Sequence, residues 1–289
     1  MIKDRLGNVI SDDNGEGKLQ KFLYNTRFGR LLLSIFIKKR FSDFGYSYMS
    51  SRLSKGRINR IIKSCSIDMT DYEEREYSSF NEFFTRKIKS GARLIDEQPD
   101  DAISPADSKL TVYDISDNSV YRIKGCDYSI TSLLGSEEEA KRFYGGKCFI
   151  YRLTVDNYHR YCYVDDGVEE AFCKIDGVYH TVNPLALKYY DVYGKNCREV
   201  SYISTENFGR IAYIEVGAML VGRINNTHKA SHKKGEEKGY FSFGGSTIVV
   251  LYQKDAILLD EDIANNSRQE AETVVRYGER VGKSLKQKH

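Results

Sequence analysis

A chain of 289 residues that is 40% hydrophobic and 12% aromatic is long enough to bury a sizeable core, as one large domain or two unequal ones. Its formal charge of +3 conceals an asymmetry, because residues 18–63 carry twelve Lys and Arg against the single acid Asp43. Six cysteines (Cys65, Cys126, Cys148, Cys162, Cys173, Cys197) form no Cys-x-x-Cys pair, which excludes a zinc ribbon or a disulfide framework and suits reduced thiols in a cytoplasmic protein.

Residues 1–17 are polar and rich in Gly, Asp and Asn, and read as a loose start without a signal peptide. From about Leu19 to Phe44, Phe22, Leu23, Phe28, Leu31, Leu32, Ile35 and Phe36 recur every three or four residues among cations. That spacing predicts a basic amphipathic helix, either packed on a core with a solvated cationic face or lying on a membrane surface. Its longest apolar run, Leu31–Ile37, is far short of the about 20 residues a membrane span needs. A second basic helix is expected over Tyr46–Ile62, and a short aromatic one around Phe80–Arg93, stopping at Gly91.

Beyond Pro99 the pattern turns to strands. Ser104-Pro105-Ala106-Asp107 is a turn entering a strand, where Asp107 by itself reads as a turn cap. Lys147–Val155 and Ser246–Gln253 read as strands, and Val168–Val182 and Glu199–Val216 as strand pairs, the second turning near Asn207-Phe208-Gly209. The tail from about Asn266 to Leu285 reads as a helix on the spacing of Ala271, Val274, Val275, Tyr277 and Val281.

Chemistry concentrates at Lys234-Gly235-Glu236-Glu237-Lys238-Gly239-Tyr240-Phe241-Ser242-Phe243-Gly244-Gly245-Ser246-Thr247, which delivers a serine to the start of an apolar strand. With Gly245 before it, the Ser246 hydroxyl can reach its own preceding carbonyl, so an N-to-O acyl shift and backbone cleavage are conceivable. Such an attack needs a base. His289 is terminal, His228 and His232 sit in a Lys-rich loop and read as solvated rather than metal-binding, and His180 reads as packed. His159 follows a buried strand, where it is either packed or facing a cleft.

This stretch resembles the processing segment of the phosphatidylserine decarboxylase proenzymes of the prokaryotic type. Phe80-Asn81-Glu82-Phe83-Phe84-Thr85-Arg86, Ser104-Pro105-Ala106-Asp107, Tyr158-His159-Arg160-Tyr161-Cys162 and Glu272–Gly282 are similar to further markers of that family, in the same order. The resemblance implies cleavage between Gly245 and Ser246 into a β chain 1–245 and an α chain 246–289 that stay together as a heterodimer. It implies a pyruvoyl group made from Ser246, which forms a Schiff base with phosphatidylserine, with no metal and no pyridoxal phosphate. His159 is implied as base, oriented by Asp107; Cys162 stands where many members have a second histidine.

The expected fold is α+β: N-terminal basic amphipathic helices (1–100, membrane-associating) packed on a β-rich, sandwich- or barrel-like catalytic domain (101–289) with a C-terminal helix. The expected protein is a peripheral enzyme on the cytoplasmic face of the cell membrane, alone or as a homo-oligomer of heterodimers, taking no nucleic acid. Removing residues 1–45 would then abolish lipid binding and spare self-cleavage. The competing reading is a non-enzymatic lipoyl-like β-sandwich carrier, with glycine-punctuated strands such as Val221-Gly222 and a basic membrane- or nucleic-acid-binding arm.

Overall fold

The computed structural model describes residues 1–11, 17–116, 120–123, 126–219, 223–243 and 246–286. Gly245 of the expected cleavage site, and Val221-Gly222, lie outside the described residues. The front of the chain holds strands β1 (Ile2–Lys3) and β2 (Val9–Ser11), then helices α1 (Lys18–Asn25), α2 (Arg27–Phe36), α3 (Lys39–Met49), α4 (Ile58–Ser64) and α5 (Phe80–Phe84), with a 3-10 turn at Arg52–Arg57. Strands β3 (Asp101–Ile103), β4 (Ser108–Asp114), β5 (Val120–Ile123) and β6 (Cys126–Ser129) lead into α6 (Ile130–Leu134) and α7 (Glu137–Lys141). Next come β7 (Lys147–Leu153), β8 (Arg160–Cys162), β9 (Gly167–Ile175), the single turns α8 (Pro184–Leu187) and α9 (Val192–Lys195), and the hairpin β10 (Arg198–Thr205) and β11 (Gly209–Val216). The chain closes through β12 (Ile224–Asn226), β13 (Ser231–His232), β14 (Glu237–Phe241), β15 (Ser246–Tyr252), β16 (Ile257–Leu259), α10 (Glu261–Arg268), β17 (Glu272–Val275) and β18 (Arg280–Ser284).

Among the described residues, ten strands form one mixed sheet in the order β13-β9-β10-β11-β15-β7-β4-β17-β1-β2, and β12-β14-β8 form a small one. The class is α+β, as expected. Strand β15 lies between β11 and β7 with every residue buried, which is why Ile248–Tyr252 reads as an unbroken apolar run rather than an alternating one. The small sheet covers one face of the large one: the Tyr213 hydroxyl donates to the Cys162 carbonyl at 3.1 Å, and Lys238 Nζ pairs with Glu215 at 2.6 Å.

Four local expectations are corrected. The stretch 19–44 is broken at Thr26, whose extended backbone (φ −107°, ψ 151°) caps α2 through its hydroxyl, and at Lys38, also extended. The aromatic helix ends at Thr85 rather than Gly91, because the chain turns Arg86 into the interior. Only Gly167–Ile175 of the stretch 168–182 is strand. The tail helix is confined to Glu261–Arg268, and residues 272–275 and 280–284 are strands whose partners β4, β1, β3 and β16 lie elsewhere in the chain.

The start of the chain is also not loose, outside residues 12–16, which are not described. Strand β1 runs parallel to β17. Just beyond it, Arg5 reaches Asp260 at 2.8 Å, Glu279 at 3.3 Å and Asp262. Removing residues 1–45 would therefore tear a strand and an ion-pair hub from the far end of the chain, and cannot serve as a neutral truncation.

One buried ion pair ties β7 to β17: Arg152 donates through Nε and Nη2 to both Glu272 carboxylate oxygens, at 2.6 and 2.5 Å. Glu272→Ala strands that guanidinium without its partner and is expected to lower the unfolding free energy by about 3–5 kcal/mol, whereas the double change to leucines should cost far less. Urea unfolding of the two variants checks this.

Candidate active site

Residues alternate across a strand, so the registers Glu215–Ile248 and Tyr213–Val250 put Ser246, Ile248 and Val250 on the face that carries Tyr213 and Glu215. That is the face covered by the small sheet. Ser246 thus stands at the head of a central strand, pointing at the layer that holds β8 and β14. It is fully buried, and its hydroxyl has no hydrogen-bond partner among the described residues. An unpaired buried hydroxyl costs roughly 1–3 kcal/mol.

The segment before Ser246 is tied to His159. The Phe241 amide donates to the His159 carbonyl at 3.0 Å, and the Phe243 amide donates to Asn81 Oδ1 in α5 at 2.9 Å. The Phe84 ring packs on the His159 imidazole with centroids 3.8 Å apart and on Phe243 at 5.6 Å. Helix α5 is therefore the bracket that holds the histidine and the processing segment together. Its aromatic residues face inward because three of its five positions, Phe80, Phe83 and Phe84, are buried.

His159 is fully buried, with Nδ1 3.0 Å from the Asn157 carbonyl and Nε2 without a partner among the described residues. A carbonyl only accepts, so Nδ1 carries the proton and Nε2 carries the lone pair. Burial, reinforced by the nearby Arg86 cation, pulls its pKa down to about 3, so the ring is neutral at pH 7. Cys162 is the opposite case. Burial pushes its thiol up to about 12, which leaves almost no thiolate at neutral pH.

Asp107 is placed apart from His159 in its bonding. Its carboxylate takes Arg93 Nε at 3.0 Å, Arg93 Nη2 at 2.6 Å and the Tyr277 amide at 2.8 Å, and no hydrogen bond joins it to the imidazole. It pins the closing segment onto the Ser104–Asp107 turn, where Gly278, at φ +82°, donates its amide to Ser104 at 2.9 Å. Cys162 borders this same cluster, its amide bonded to the Pro105 carbonyl at 3.0 Å. The orienting acceptor for His159 is instead the Asn157 backbone, which no side-chain signal in the sequence marks.

Three further histidines, His180, His228 and His232, pack against aromatic rings, and His289 lies outside the described residues. His180 lies 3.2 Å from the Tyr24 hydroxyl and stacks on Tyr190. Contrary to a solvated loop, His232 is buried against the Tyr163 ring, and His228 sits on Phe172 between Glu169 at 2.7 Å and Glu199 at 2.9 Å. Among the described residues, no cluster of three or more His, Cys, Asp or Glu side chains is placed to hold a metal ion.

The family model described as phosphatidylserine decarboxylase matches residues 80–283. The chain is 47% identical over 265 residues to phosphatidylserine decarboxylase proenzyme 2 of Clostridium acetobutylicum, covering 91% of each chain. It is 42% identical over 272 residues to the phosphatidylserine decarboxylase proenzyme of Clostridium botulinum (92% of each). To that of Clostridium tetani it is 40% identical over 283 residues (96% of this chain, 95% of the other). A family model matched over residues 80–283 and relatives at 40–47% identity over more than nine-tenths of the chain lead to one conclusion: the chain belongs to the phosphatidylserine decarboxylase family.

Proposed function

We propose that this chain is the proenzyme of a phosphatidylserine decarboxylase that cuts itself before Ser246 and converts phosphatidylserine to phosphatidylethanolamine and CO₂. The observation that carries this reading is the buried, unpartnered Ser246 hydroxyl, on the sheet face covered by the layer that carries His159. His159 Nε2 takes the Oγ proton while its Nδ1–H stays on the Asn157 carbonyl. Oγ attacks the Gly245 carbonyl, the C–N bond breaks, and the Ser246 nitrogen leaves as an amine, giving an ester. Loss of the Ser246 Cα proton then expels the ester oxygen as the new carboxylate of Gly245. The dehydroalanine left at 246 tautomerises to an imine, and water replaces its nitrogen, which departs as ammonia. The resulting pyruvoyl group supplies the electron sink for the pair released as a carboxylate leaves as CO₂.

Residues 1–245 and 246–289 stay together on this reading, because β15 is flanked by β11 and β7, β17 by β4 and β1, and Arg152 and Arg5 reach across. The test is mass spectrometry of purified, active protein: two chains breaking before residue 246, the smaller with a keto N-terminus, support the reading. One intact chain of 33.2 kDa in active material refutes it and revives the carrier reading.

The helices fit a peripheral place on an anionic membrane. Helices α1 and α2 bury Leu23, Tyr24 and Leu33 in the main core, yet α2 leaves Phe28, Leu31 and Ile35 more than half exposed along one stripe, flanked by Arg27 and Arg30. One stripe of these helices packs and another is exposed, which leaves the second stripe available to a membrane surface. No helix of the described residues is long and apolar enough to cross a membrane. Each cation near an anionic surface contributes about 1 kcal/mol, and the stripe adds apolar insertion. Changing Phe28, Leu31 and Ile35 together to Ser is expected to reduce sedimentation with phosphatidylserine-containing vesicles at least about tenfold while scission proceeds normally; unchanged sedimentation would refute it. The cytoplasmic face of the cell membrane is the location this implies.

A further inference from the structure

Arg86 is a charge in an unusual place. Its residue is 1% exposed, and among the described residues no carboxylate pairs with it. Nη1 donates to the Phe83 carbonyl at 3.3 Å, and Nη2 is shared among the Tyr72 hydroxyl at 3.1 Å and the carbonyls of Asp156 and Asn157 at 3.3 and 3.4 Å. The guanidinium lies over the Tyr72 and Phe83 rings, 4.2 and 4.6 Å from their centroids, and Nε is buried without a partner. Cation–π contacts and neutral acceptors make the charge tolerable, but an apolar side chain would fill this space without desolvating an ion. The cost points to a task.

The Asn157 carbonyl is the link. It accepts from Arg86 Nη2 on one side and from His159 Nδ1 on the other. We infer that Arg86 is a positioning residue for His159: it holds the Asn157 carbonyl in the place where that oxygen keeps the proton on Nδ1, and so keeps Nε2 free as the lone pair. The cation also opposes a second proton on the ring, as does Lys109 from β4, while Asp156 on the histidine's own loop acts the other way. Phe84 closes one ring face without charge. Arg86 thus makes the carbonyl a more selective orienter than a carboxylate, which would favour imidazolium.

The inference rests on His159 acting as base, but its test does not. In the full chain carrying Ser246→Ala, nitrogen NMR of the imidazoles, with His159 assigned by loss of its signals in His159→Asn, reads tautomer and titration directly. The parent is expected to show one neutral, Nδ1-protonated tautomer down to about pH 4. Arg86→Gln should raise the midpoint by about one unit or more and mix the tautomers. Arg86→Lys keeps a cation without the planar fork, so it should retain the low midpoint but mix the tautomers. Parent-like midpoint and tautomer in Arg86→Gln overturn the inference. Should that variant not fold, a single parent-like tautomer in Arg86→Lys overturns it. Self-cleavage by His159→Ala would instead overturn the base assignment and leave this coupling standing.

Discussion

Ser246→Ala is expected to yield one intact chain of 33.2 kDa with no decarboxylase activity and no loss of stability. The two halves of this result have separate causes. The hydroxyl is the only atom able to make the ester, so scission should fall below detection, and without scission the electron sink never forms. The fold should not suffer, because the register of β15 is set by backbone bonds to β7 and β11, and the lost hydroxyl had no partner among the described residues to abandon. Removing an unsatisfied buried polar group is neutral or mildly stabilising. Thermal unfolding, intact-mass analysis and turnover of the same preparation separate these outcomes. Activity in a chain still carrying alanine at 246 would end the proposed chemistry.

The second large effect falls on His159. His159→Ala is expected to slow scission about 10²–10⁴-fold, with a flat wild-type rate between roughly pH 5 and 9, since the ring is held neutral well below that range. The sign follows from burial: desolvation and Arg86 disfavour the imidazolium, so the base is lost only as acid approaches the depressed pKa. Cys162→Ala should leave scission close to wild type, because a thiol pushed up to about 12 has no basic form to lose. Asp107→Ala is a different case. It frees a largely buried Arg93 and the Tyr277 amide, so its first effect should be on stability and on the placement of the closing segment. Scission timed in stopped aliquots over this pH range, for the three variants side by side, distinguishes base from bystander. Normal scission in His159→Ala with arrest in Cys162→Ala would reverse the assignment.

What the sequence disclosed follows from how local each signal is. The central strand after Ser246 was legible because burial on both faces demands a continuous apolar run, and the β10–β11 turn because Asn207-Phe208-Gly209 breaks two such runs, with Gly209 at φ +72°. The tail was misread since Val274, Val275 and Val281 meet a helical spacing as well as a strand one. What decides between them is pairing with Ser108–Leu110 and Ala102–Ile103, far away in the chain. The bonding of Asp107 and His159 was not legible, because Asp107 is claimed by Arg93 and His159 by a backbone oxygen. A carbonyl belongs to every residue and so leaves no mark in composition or motif. The surroundings of Arg86 leave as little mark: its partners are two rings, the Tyr72 hydroxyl and three carbonyls.

The parallel pairing of Ile2 with Glu272 bears on timing during protein synthesis. Ile2 emerges from the ribosome long before the strand it joins has been translated, and the strand that begins at Ser246 also comes late, although it lies in the middle of the sheet. The sheet therefore closes only after the last strands are out, and until it does, Ser246 lacks the enclosure its chemistry needs. On the proposed function, this order of strands in space acts as a clock that postpones self-scission until translation has passed Glu272, and a nascent chain stalled earlier should be recovered uncut.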